Sequence, residues 1–72
     1  MHKPHNIAYL REREGLTQKD LADKLGVTQP VVAQWERSTR SPSFTMLAMM
    51  VEILNATAGQ IIGTEQVGIL GI

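Results

Sequence analysis

Two Thr-Gln pairs, Thr17-Gln18 and Thr28-Gln29, each open a short apolar-periodic run, and Gly26 stands between them. No other feature limits the fold of this chain so strongly. A hydroxyl residue just before such a run starts a helix, and a glycine just after its last periodic residue stops one. GLTQKDLADKLG therefore predicts a helix with Thr17 as N-cap and Asp20 at the third helical position, a variant of the capping box. Leu21, Ala22 and Leu25 fall on one stripe of it. Only Val27 and Thr28 separate it from a second run, QPVVAQWER. Thr28 caps that run, Gln29 opens it, and Pro30 lies in the first turn, where its missing N–H has no bond to lose.

At about 100° per residue, Val31, Val32 and Trp35 share one arc of this helix, which must face a core. Gln29, Pro30, Ala33, Gln34 and Arg37 share the opposite arc. That outward arc is short and rich in amides, whereas a merely solvated helix is expected to carry Glu and Lys. Three more helices complete an all-α reading. The first runs from an Asn6 cap through IAYLRERE, with Ile7 and Leu10 inward, to Gly15. STRSPS, residues 38–43, is a loop, and Ser43 caps FTMLAMMVEIL. In that helix Phe44, Leu47, Met50, Val51 and Leu54 are expected in the core, Met46, Met49 and Ile53 form a second apolar strip, and Asn55 follows as C-cap. Thr57 with Gln60 gives a further capping box for a short fifth helix through Ile61 and Ile62.

The chain divides into an N-terminal arm (1–5), the helical domain (6–62) and an apolar tail (63–72). The tail reads as an added strand, a partner-bound segment or disorder. A length of 72 residues makes one small domain, whose core removes roughly 60% of the unfolded surface. With no cysteine, neither a disulfide framework nor a thiolate metal site is available. His2 and His5 flank Lys3-Pro4 without a third ligand, so no metal and no cofactor is expected. No apolar run approaches a membrane span and the start lacks a signal-peptide core, so the expected compartment is the cytoplasm. Seven Lys/Arg balance seven Asp/Glu to a net charge of zero. All the cations lie in residues 1–40, which gives that part a slight positive excess. No Ser-His-Asp set and no carboxylate pair in an apolar pocket can be found, so the chain is not expected to be an enzyme.

The stretch LREREGLTQKDLADKLGVTQPVVAQWERSTRSPSFTML resembles the helix-turn-helix of the XRE family, the phage lambda repressor and Cro-like regulators. The likeness covers roughly residues 6–62. It departs from the family pattern at Ser38, where a glycine is usual after Trp-Glu-x, and serine ends a helix less comfortably than glycine.

The resemblance implies a five-helix, lambda-repressor-like fold and a transcriptional regulator that binds operator DNA. Gln18 matches a phosphate-binding position, which suits an amide beside free helix N–H groups. Gln29 matches the leading base-reading position, where glutamine can bond adenine N6 and N7 together. Thr28, Pro30, Ala33 and Gln34 join it as base-facing residues, and Arg37 and Arg40 match phosphate contacts. Arg11 and Glu36 match a structural ion pair between the first and third helices. A repressor acting as a homodimer on a palindromic operator is the expected form. Its interface is drawn from Met46, Met49, Ile53, Ile61, Ile62, Ile69, Leu70 and Ile72, without a choice among the segments that carry them. The rival expectation is a protein-interaction module, such as an antitoxin that binds a toxin partner through the same fold.

Overall fold

The structure, a computed structural model, describes residues 6–63. They form five helices: α1 (Ile7–Arg13), α2 (Gln18–Leu25), α3 (Gln29–Glu36), α4 (Phe44–Ile53) and α5 (Ala58–Ile62). The expected all-α fold is observed, with no strand among the described residues. Both capping boxes form. The Thr17 hydroxyl accepts from the Asp20 amide at 3.0 Å while the Thr17 amide donates to the Asp20 carboxylate at 2.9 Å. Thr57 and Gln60 repeat the exchange at the start of α5. Ser43 accepts from the Met46 amide at 3.2 Å and so starts α4.

The first four helices end in one kind of wrap. After each, a residue with positive φ turns the chain back, and the next amide reaches a carbonyl five residues earlier. Gly26 does this for α2 with φ 74°, and the Val27 amide bonds to the Ala22 carbonyl at 3.0 Å. Ser38 does it for α3 with φ 63°, and the Thr39 amide bonds to the Gln34 carbonyl at 3.0 Å. Asn55 does it for α4 with φ 53°. Serine thus takes the left-handed conformation that glycine adopts without strain, and the turn keeps its path.

α2 packs on α3 and α4, α1 packs on α3 and α5, and α4 packs on α5. Between them lies one core of Ile7, Leu10, Leu21, Ala22, Leu25, Val32, Trp35, Met50, Leu54 and Ile61. Three expectations are corrected here. Phe44 is 83% exposed rather than in the core. It opens α4, and that helix is apolar around most of its circumference, so its periodicity does not fix which side turns inward. Ile61 is fully buried within a single chain, so it has no surface to offer a second copy. Asn6 precedes α1 but its side chain makes no cap bond. Instead its Nδ2 donates to the Gln60 carbonyl at 2.7 Å and its backbone amide donates to the Ile61 carbonyl at 2.9 Å, clasping α1 to α5.

A candidate nucleic-acid interface on α2 and α3

α3 turns the expected arc outward. Val32 and Trp35 are buried and Val31 is half-buried, which fixes the rotation of the helix. Gln29, Pro30 and Arg37 are exposed as a result, and Ala33 and Gln34 are half-buried. Thr28, exposed at the start of α3, has the extended backbone of a cap but its side chain makes no cap bond. At the far end Arg40 is exposed, and its Nη1 lies 3.4 Å from Gln34 Oε1. The outward surface is therefore a row of amides with arginines where the helix ends.

Arg11 and Glu36 hold this surface in place. Arg11 Nε donates to Glu36 Oε2 at 2.6 Å and Nη2 to Oε1 at 3.2 Å. The third guanidinium nitrogen, Nη1, donates to the Leu16 carbonyl at 2.8 Å, which pins the α1–α2 connection. Only 11% and 9% of the two side chains is exposed, so the pair is largely removed from water and each charge depends on the other. The Glu36 hydrogen bond raises the Arg11 guanidinium further above its already high ordinary value, against the opposing pull of burial. At the start of α2, the Thr17 backbone amide and then the Thr17 hydroxyl hold the Asp20 carboxyl below its ordinary value.

Two contacts join this buried pair to the surface, and residue patterns alone do not reveal them. Gln18 Nε2 donates to Glu36 Oε1 at 2.9 Å, and Gln29 Nε2 donates to Gln18 Oε1 at 3.2 Å. A faint signal was available. Gln18 and Gln29 each occupy the first position of successive helices joined by a short turn, an arrangement that brings the two helix starts together. A further unpredicted contact is that of Arg13, whose Nη2 donates to the Leu54 and Asn55 carbonyls at 2.9 and 3.0 Å. A cation placed there satisfies carbonyls that the end of α4 leaves without helical partners.

The residues expected at an interface between copies differ in exposure. Met49 and Ile62 are 37% and 38% exposed, while Met46 and Ile53 are partly buried against the core. Ile69, Leu70 and Ile72 lie outside the described residues. No helix among the described residues is long and apolar enough to cross a membrane.

A capped helix, a turn at residues 26–28 and a second helix with its amide arc turned out define a helix-turn-helix domain. Comparison with known proteins agrees, since the family described as Helix-turn-helix matches residues 7–61, and the chain belongs to that family. It is similar to the uncharacterized HTH-type transcriptional regulator YqaE of Bacillus subtilis (strain 168), at 32% identity over 60 residues, 83% of this chain and 52% of the relative. The HTH-type transcriptional regulator AnsR of the same organism is 30% identical over the same shares. The chain thus spans about half the length of the curated relatives it matches.

Proposed function

We propose that the chain is a sequence-specific double-stranded DNA-binding regulator of transcription, acting as a homodimeric repressor on a palindromic operator. The observation that carries this reading is the outward arc of α3, with Gln29 exposed at its first turn and tied to Gln18. An α-helix fits the major groove, and a glutamine at its N-terminal end reaches base edges there. In this reading Thr28, Gln29, Pro30, Ala33 and Gln34 face the bases. Pro30 and Ala33 offer only apolar contact, as to a thymine methyl. Gln18, Arg37 and Arg40 face phosphates, which set position without reading sequence.

Selection of preferred sites from random duplex, with binding measured across salt, is the test. Gln29→Ala is expected to lose about 1–3 kcal/mol on the best site and to relax preference at one position per half-site. Arg40→Ala is expected to weaken binding to all sequences and to lower the salt slope by about 1. Unchanged affinity and preference in Gln29→Ala means that α3 does not read the groove.

A net charge of zero gives one such domain little general attraction to phosphate, which favours two copies on half-sites about 34 Å apart. Met49 and Ile62 supply exposed apolar surface on α4 and α5 for that pairing. The same neutral charge and apolar surface also favour a second reading, a module such as an antitoxin that binds a protein partner. Sedimentation separates the two. A dimer at micromolar concentration, or on addition of operator, supports the repressor, and a strict monomer under both conditions supports the partner-binding module.

A further inference from the structure

We infer that Glu36 is a positioning residue for base recognition: its buried carboxylate fixes which way round the Gln29 amide faces, through Gln18. The inference rests on the proposed role of Gln29 as a base reader. A carboxylate can only accept hydrogen bonds. Gln18 must therefore turn its Nε2 toward Glu36 Oε1, the 2.9 Å contact. That leaves Gln18 Oε1 facing Gln29, and an oxygen there can only accept. Gln29 must in turn offer its Nε2, the 3.2 Å contact. One N–H of Gln29 is spent on this bond, and its Oε1 and second N–H remain for another partner. One acceptor beside one donor matches the major-groove edge of adenine, which presents N6–H and N7. The reversed amide, held through one lone pair of its Oε1, presents the same pair in the opposite order, so that its acceptor meets N7 and its donor meets N6–H, and the match to adenine is lost.

Glu36 cannot turn to escape this constraint. Arg11 grips both of its oxygens, at 2.6 and 3.2 Å, and only 9% of its side chain is exposed. A buried charge-assisted bond at the inner end of the chain thus sets the polarity of an exposed amide at the outer end. The same buried pair that orients α3 also selects the chemistry that α3 displays.

The test compares three variants of the whole chain. Glu36→Gln replaces an obligate acceptor by an amide that can face either way. Gln18→Met breaks the chain midway and leaves the ion pair intact, so it decides the matter even where Glu36→Gln does not fold. Ile61→Val trims the core at α5, away from this chain of contacts, and so reports a purely structural role. In the free protein, the side-chain amide NMR resonances of Gln29 are expected to shift in Glu36→Gln and Gln18→Met and to stay in place in Ile61→Val. On DNA, the preference for adenine over guanine at the position lost in Gln29→Ala is expected to fall by about threefold or more in the first two variants only.

Gln29 amide resonances unmoved in Gln18→Met overturn the inference. An equal loss of preference in Ile61→Val overturns it too, since stability alone then explains the effect. A Gln29→Ala variant with unaltered preference instead removes the base-reading role, and the resonances in free protein then decide whether Glu36 orients the amide.

Discussion

Helices α2 and α5 begin alike, each with a Thr-led capping box, and each ends on a glycine of positive φ. They are nonetheless joined to the rest of the domain by different means. Around α2 the connections are directional. A buried carboxylate on α3 receives Arg11 and Gln18, and Gln18 receives Gln29. Around α5 the connection is chiefly apolar, with Ile61, Leu54 and Met50 fully buried together. Apolar contact fixes volume and leaves side-chain polarity unspecified, whereas hydrogen bonds fix which atom faces which. The domain thus places its linked side-chain contacts beneath the surface that displays amides, and at the other end relies mainly on shape, where Asn6 and Arg13 bond to backbone carbonyls.

The contrast predicts unequal responses to small chemical changes. Glu36→Ala leaves Arg11 without its partner and is expected to destabilise by about 3 kcal/mol or more, a large part of the stability of so small a domain. Changing both Arg11 and Glu36 to apolar residues is expected to be milder, and additive losses in the double-mutant cycle remove the pair from the account. In the apolar half, Met50→Leu keeps volume at a fully buried site and is expected to cost about 1 kcal/mol or less by denaturant unfolding. A loss as large as that of Glu36→Ala breaks the comparison.

Smaller effects sharpen it. Ser38→Gly relieves a left-handed serine but loosens the unfolded chain, for an expected gain of about 0.5 kcal/mol in the same measurement. The two capping boxes differ in that Asp20 titrates and Gln60 does not. Asp20 has a lowered value in the folded state, so its contribution is complete above the unfolded-state value and is lost as pH falls through the folded one. Melting temperature is expected to fall less steeply with acid in Asp20→Asn than in the wild type, while Gln60→Asn leaves that slope alone. Equal slopes in wild type and Asp20→Asn remove the Asp20 contribution.

Much of this architecture was legible in the sequence because it is written locally. Thr17 with Asp20, Thr57 with Gln60, Gly15 and Gly26 lie within a few residues of the bonds or turns they make, and the stripe of Val32 and Trp35 orients α3 by itself. The misreadings come from elements whose fate is decided by distant partners. Asn6 looks like a cap, yet a carbonyl of α5 claims its amide. Phe44 has the composition of a core residue, but on a helix so widely apolar only the neighbours decide which side is covered. Ile61 reads as a surface residue because its helix is too short for periodicity to separate two faces. In the candidate site the positions were readable and the polarity of the amides was not, because it depends on a carboxylate eighteen residues beyond Gln18.

The clasp between Asn6 and α5 has a topological consequence. With the Asn6 amide 2.9 Å from the Ile61 carbonyl, the two ends of the helical domain lie side by side. A linker of a few residues therefore spans them. The order of helices along the chain is then separable from their arrangement in space. A circular permutant of residues 6–63, joined at the clasp and opened between the exposed Arg40 and Ser41, is expected to retain the five helices and their buried core. In such a permutant α4 and α5 precede α1, and the chain finishes on the outward-facing helix.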